Sequence, residues 1–242
     1  MIRLRRAPAG LAVAVADALP PLPPALEARV EGHWRDRLAQ GARLFNGPLL
    51  SLAGREGGRL VARRTEYRRL VAQLAEPGLA AALGIRPLAV SGILAIRGGL
   101  VLGRRHRALL QDGGLWELVP AGGIEPGPPG ALIDPVGEAR RELAEEVGLD
   151  PSAVASETVA IAEDLAGGVV DIVVALRCGI DGAALGRAFR GRGTREYTEI
   201  AVVPPEGLAR AAGDPAVAPL ARRLLRHLAR PAAATASAAP CV

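Results

Sequence analysis

The run Arg141-Glu142-Leu143-Ala144-Glu145-Glu146-Val147-Gly148-Leu149 holds the residues best suited to chemistry. On a helix, Glu142, Glu145 and Glu146 stand three and four positions apart and share a face, with Glu138 one turn earlier. Carboxylates crowded on one stripe repel each other, and a cation would offset that cost. Hard oxygen ligands in this number suit Mg²⁺ or Mn²⁺. The bland alternative is a solvated acidic face on which Arg140, Arg141 and Glu142 form local pairs.

The elements that must position these groups follow from the surrounding pattern. Asp134-Pro135 opens the helix, aspartate as cap and proline in the first turn, and Gly148 stops it after Val147. Upstream, Trp116 to Val119 is a short strand running into Pro120-Ala121-Gly122-Gly123, and Pro126 to Gly130 is loop. Strands are expected at Leu88 to Ile96, Leu100 to Arg104, Val169 to Arg177 and Ile200 to Val203. In the first third, a helix over Ala25 to Ala39 carries Leu26, Val30, Trp34 and Leu38 on one face. Strand-like runs follow at Leu44 to Leu52 and Arg59 to Arg64, then a helical stretch from Glu66 to Leu83 interrupted at Pro77-Gly78. A last helix spans Ala218 to Ala229 with Leu220, Leu224 and Leu228 on one side, before a low-complexity tail. The start, Met1 to Ala16, mimics a secretion signal, but Pro8 and Gly10 interrupt its apolar part, so it reads as a surface strand and turn.

Composition narrows the function classes. The chain has 242 residues, half of them hydrophobic, which excludes wholesale disorder and leaves room for a large core. No apolar run reaches about 18 residues, so no membrane partner is expected. Cys178 and Cys241 are too few for a disulfide framework or a zinc cluster, and a cytoplasmic location is the default. The net charge is +5 and all 30 basic residues are arginine. Arginine suits phosphates because its planar fork donates two hydrogen bonds at once. Aromatic residues are too scarce for a stacking platform, so small anionic ligands are favoured over nucleic acid.

The run from Arg141 to Leu149 resembles the Nudix box, whose helix reads Arg-Glu-apolar-any-Glu-Glu-any-Gly-apolar. Gly122-Gly123 is similar to the glycine-rich lead-in of that box. Two departures stand out. Ile133 occupies the place, eight before Arg141, where the box carries a glutamate that helps hold its arginine, and the loop from Gly127 to Asp134 is longer than usual. Asp134 and Glu138 are the two candidates to replace that glutamate. Further pieces, Trp34 to Leu38, Leu44-Phe45-Asn46-Gly47, Glu66-Tyr67-Arg68, Arg86-Pro87-Leu88 and Gly103-Arg104-Arg105, resemble the UDP-sugar branch of the Nudix hydrolases. Relatives have a Gly-Leu-Thr lead-in before the tyrosine, where this chain has Arg63-Arg64-Thr65.

The resemblance implies an α+β fold: a Nudix α/β/α sandwich with a mixed central sheet and an N-terminal α/β extension. It divides the chain into an extension over 1–85, a Nudix domain over 86–230 and a disordered tail over 231–242. It implies Mg²⁺, with Mn²⁺ as substitute, held by Glu142, Glu145 and Glu146, with Arg141 in the catalytic set. The expected reaction splits the diphosphate of a nucleoside diphosphate derivative, UDP-glucose or UDP-galactose giving UMP and a sugar 1-phosphate. ADP-ribose, coenzyme A or an oxidised nucleotide are alternative substrates. A catalytically silent nucleotide-binding module, or an anion- or RNA-binding protein using its arginines, are the competing classes.

Other residues carry two readings each. The backbone of Gly122 and Gly123 can approach a metal or phosphate because no side chain intervenes. Arg104 and Arg105 are candidate diphosphate clamps or plain surface arginines. Asn46 suits a uracil edge, a ribose, or simply a turn before Gly47-Pro48. Tyr67 suits base stacking or core packing. Glu196 and Glu199 are read as solvent-exposed rim, with a further metal ligand as the lesser reading. His33, His106 and His227 lack ligand spacing.

Overall fold

A computed structural model describes residues 1–42, 44–192 and 196–229, so the expected tail over 231–242 lies outside the described residues. The chain runs through β1 (Ile2–Arg6), β2 (Val13–Ala16), α1 (Pro24–Ala39), β3 (Pro48–Glu56), β4 (Arg59–Glu66), α2 (Tyr67–Ala75) and α3 (Ala80–Leu83). It continues through β5 (Leu88–Ile96), β6 (Gly99–Arg105), β7 (Trp116–Leu118), β8 (Ala121–Gly123), β9 (Leu132–Ile133) and α4 (Pro135–Glu142). The last elements are β10 (Ala155–Asp164), β11 (Val170–Arg177), α5 (Gly182–Arg192), β12 (Tyr197–Val203), α6 (Leu208–Gly213) and α7 (Pro219–Leu228).

The main sheet has eight strands in the order β1-β10-β11-β5-β6-β12, with β7 paired to β6 and β8 to β5. β11 and β5 run parallel, and the other pairs are antiparallel, so the sheet is mixed as expected. Successive side chains of a strand point to opposite faces. On one face Val90, Leu94, Ile172, Val174 and Leu176 pack with Ala139, Leu143 and Val147 of the acidic helix and Leu185 of α5. On the other, Ile93, Leu102, Leu118 and Val173 pack with Ala212 of α6 and Ala221, Leu224 and Leu225 of α7. Helices therefore cover both faces, which is the expected α/β/α sandwich.

A second sheet, β3-β4-β2-β9, is built mainly from the first 66 residues. Its Val13, Val15, Leu50, Leu52, Leu60 and Ala62 join the same core as the acidic helix. Its last strand comes from the long loop ahead of that helix: Val13 pairs with Ile133 and Ala14 with Leu132. The loop's extra length thus has a structural use, since it ties the N-terminal sheet to the helix it precedes.

Some expectations change. Val30 is the buried residue of α1 and Leu38 stays exposed, so that helix packs through a narrower stripe than its spacing suggested. In α7 the buried positions are Ala221, Leu224 and Leu225, while Leu228 is exposed. The first residues of the run expected as a strand from Leu44 are not in a strand; β3 starts at Pro48. Five elements have no counterpart in the sequence reading, two of them the very short strands β8 and β9. β10 is alanine-rich and its register shifts between Thr158 and Ala160, which breaks the two-residue period. α5 holds glycines that suggest a loop, and α6 is only six residues long.

Candidate active site

Asp134 caps α4 as expected, its carboxylate accepting from the backbone N–H groups of Val136 and Gly137. Such a cap stabilises a helix by about 1 kcal/mol. Past Glu142 the geometry departs from a regular helix: Leu143–Val147 is a π-helical turn, ended by Gly148 at φ 76°. The wider turn changes which carboxylates line up. Glu142 and Glu146 both turn inward, 8% and 2% exposed, whereas the side chain of Glu145 is 53% exposed. The three glutamates therefore do not share one equivalent face.

Arg141 offsets much of the expected repulsion. Its guanidinium donates to Glu142 at 2.7 Å, Glu138 at 3.1 Å and Glu145 at 3.1 Å, with Glu125 at 3.8 Å. Glu138 supplies the contact that the Ile133 position lacks, while Asp134 is occupied as the cap. Glu146 lies outside this arginine's reach. One of its oxygens accepts from the Ala121 N–H at 3.0 Å, and Oε1 is buried with no hydrogen-bond partner. An unpartnered carboxylate oxygen in the interior is costly.

The twin glycines account for the approach of strand and helix. A Cβ on Gly122 would lie 2.3 Å from the carboxyl carbon of Glu142, so the backbone of β8 meets that carboxylate only because the side chain is missing. Gly122 and Gly123 also line a cavity of about 560 Å³, together with Tyr67, Arg105, Glu117 and Glu196, and the cavity reaches past the strands to the start of α7. The helix glutamates do not line that cavity. β8 and Glu196 connect the two regions, for Glu196 touches both the cavity and Glu146.

The residues singled out from sequence are thereby sorted. Gly122, Gly123, Arg105 and Tyr67 meet at the cavity. Arg104 does not: it points away and pairs with Glu199 at 2.7 Å. Asn46 does not either. Its side chain bridges Glu66 and the Arg68 N–H and fixes the start of α2, a structural role that neither reading named. Glu196 is no open rim residue but a wall of the cavity, brought there by β12 pairing with β6. Sequence reasoning also passed over Glu117, which accepts from Arg105 and from the Tyr197 hydroxyl. Adjacent strand residues face opposite ways, so Arg105 enters the cavity and Arg104 leaves it.

Burial dominates the electrostatics. It pushes Glu146 up to about 10, reinforced by the contact with Glu196 and only partly opposed by the Ala121 N–H. Burial also raises Glu142 despite Arg141, and raises Glu117 despite Arg105. The folded protein without metal thus holds a proton on Glu146 that the unfolded chain releases above 4.5. That contribution to stability is complete below 4.5 and is lost as pH climbs toward 10. Thermal melts in EDTA are expected to show a falling midpoint from pH 5.5 to 8.5, each kcal/mol shifting it by roughly 2–4 °C at this size. Glu146→Gln should flatten that slope; an unchanged slope in the variant contradicts the assignment.

The donor set fits a divalent cation. Buried carboxylates, an orphaned oxygen and a close glycine backbone offer hard ligands and a site where positive charge would relieve desolvated negative charge. Among the described residues, no three acidic, histidine or cysteine side chains already converge into a closed ligand group.

No family model matches the chain, and no curated protein matches it. Among solved structures it is similar to DR0079 of Deinococcus radiodurans, at 20% identity over 59% of this chain and 83% of that one, with a TM-score of 0.44. It is also similar to a MutT protein of Methanosarcina mazei Go1, at 18% identity over 58% of this chain and 91% of that one, TM-score 0.42. A third is the NUDIX domain of Shewanella oneidensis NrtR, solved with ADP ribose, at 17% identity over 62% and 94%, TM-score 0.40. Among the described residues, no helix is long and apolar enough to cross a membrane.

Proposed function

We propose that this chain is a Nudix-type hydrolase that uses a divalent metal to split the diphosphate of a nucleoside diphosphate derivative. One observation carries the reading: the orphaned oxygen of buried Glu146 beside Glu142 and Glu196, at the glycine strand that opens on the cavity. A solvated acidic face has no reason to bury two carboxylates and leave one oxygen unpaired.

Glu142, Glu145 and Glu146 would hold Mg²⁺ or Mn²⁺. Bound there, the ion would supply Lewis-acid polarisation of the phosphoryl oxygens and a more acidic water. Arg141 holds Glu142 and Glu145 in place through its fork. Glu196, beside Glu146 and on the cavity wall, would be the loop carboxylate that takes a proton from the attacking water. Arg105, fixed by Glu117, is the guanidinium available to the diphosphate, and Gly122 and Gly123 let its oxygens approach the backbone. Positioning and electrostatics of this kind do most of the work in phosphoryl transfer. The preferred substrate is UDP-glucose or UDP-galactose, giving UMP and the sugar 1-phosphate.

The test is a panel of UDP-glucose, UDP-galactose, ADP-ribose, coenzyme A and oxidised nucleoside triphosphates with Mg²⁺. Cleavage that disappears in EDTA supports the proposal, and the best substrate decides among the derivatives. Nucleotide binding without cleavage of any member contradicts hydrolysis and makes the chain a silent binding module.

A further inference from the structure

Beyond the glycine strand, the cavity continues over the α7-covered face of the sheet, where the catalytic reading assigns no residue. β5 and β11 run parallel there, with Ala89 opposite Asp171 and Ser91 opposite Val173. Ser91 and Asp171 therefore stand on the same face, and the Ser91 hydroxyl donates to Asp171 Oδ1 at 2.9 Å. Both line the cavity floor, and Asp112 and Asp164 also line the cavity. Among the described residues lining it, Arg105 is the one cation, and it is paired with Glu117 and already assigned to the diphosphate. The start of α7 opens there as well, with no side-chain cap. Asp164 is paired with the Met1 ammonium at 3.8 Å and Arg222 acts on Asp112, while the helix N-terminus adds about half a positive charge, so among the described residues Asp171 is the carboxylate here with no cation beside it. Burial pushes Asp171 up to about 7, so its charge is poorly solvated until hydrogen-bond donors reach it. The volume, about 560 Å³, suits one nucleoside or hexose.

We propose that this end of the cavity is a specificity pocket for an uncharged, donor-rich group of the substrate, a sugar or an unphosphorylated nucleoside, held by Asp171 and Ser91, and that it rejects groups bearing an additional phosphate. The proposal rests on the hydrolase reading for its substrate class, and its charge argument is tested by binding alone. A donor-rich sugar satisfies the free acceptor positions of Asp171, whereas a further phosphate meets the carboxylates of Asp171 and Asp112 in a recess that screens poorly.

Two matched pairs differ by a single phosphate: dephospho-coenzyme A with coenzyme A, and NADH with NADPH. Calorimetric titration of the metal-free protein with each compound is expected to show at least about tenfold tighter binding of the member lacking the extra phosphate. At pH 8.5, above the value of Asp171, Asp171→Asn keeps an acceptor for Ser91 and removes one charge, and Asp112→Asn removes another from a separate loop. Each should narrow the preference severalfold, and Ser91→Ala should weaken both members alike and leave the preference unchanged. Equal affinity within both pairs, tighter binding of the phosphorylated members, binding of neither, or a preference untouched by both asparagine variants overturns the proposal. These outcomes do not depend on turnover. If the preference appears and the substrate panel with Mg²⁺ shows no cleavage, the pocket stands and the hydrolase reading fails. Cleavage of both members with equal kcat/KM and equal affinity does the reverse.

Discussion

Glu146→Gln is expected to lower kcat by roughly 10³-fold or more, since losing a carboxylate that holds the metal removes several kcal/mol of transition-state stabilisation. The same variant should be no less stable than the parent when metal is absent. Burial holds a proton on Glu146 near neutral pH, and glutamine reproduces that uncharged form in nearly the same volume. At pH 8 in EDTA its thermal midpoint should equal or exceed that of the parent. Mg²⁺ should raise the midpoint of the parent and leave the variant unmoved. The opposed signs separate a metal site from a structural carboxylate. A variant that keeps turnover, or that melts well below the parent in EDTA, contradicts the assignment of Glu146.

Gly122→Ala is the second large effect. Its Cβ would lie 2.3 Å from the Glu142 carboxyl carbon, so that carboxylate must move. The obstructing group is the end of a flexible side chain, so the fold should tolerate the change with a loss on the order of 1 kcal/mol. The function should not: a displacement of about 1 Å at a positioned catalytic group is enough to reduce turnover by roughly 10²-fold. Parallel melting and turnover assays check this. Equal activity in the alanine variant means that the contact between β8 and Glu142 does not matter to the chemistry. Global unfolding means that it is a packing contact first.

Much of the molecule was legible because the relevant forces are local. Asp134-Pro135 and Gly148 mark the ends of the acidic helix through capping geometry, and both act there as expected. The near-continuous apolar runs of β5 and β11 marked both strands, because each is buried on two faces and rich in branched side chains. β10 escaped because alanine carries little strand preference and a register shift breaks its period. The reading of Asn46 as a turn residue was available from Gly47-Pro48. Its true partners, Glu66 and Arg68, lie some 20 residues away and belong to no sequence pattern.

The candidate site was legible as a set of residue types and only partly as an arrangement. Glu142, Glu145 and Glu146 are fixed by sequence, and a regular helix makes them equivalent. The π turn and the pressure of β8 make them unequal, burying Glu142 and Glu146 and leaving Glu145 in solvent. Arg104 and Arg105 are indistinguishable until the sheet assigns its faces. Glu196, Glu117, Ser91 and Asp171 come from four separate strands or loops, and only strand pairing brings them to one cavity. By itself the sequence determined the capped acidic helix, its carboxylates and the twin glycines, since backbone conformation and side-chain chemistry are properties of neighbours along the chain. Which carboxylate loses its water, and which side chains look into the cavity, only the tertiary structure decided, because burial and pairing depend on segments that meet across the fold.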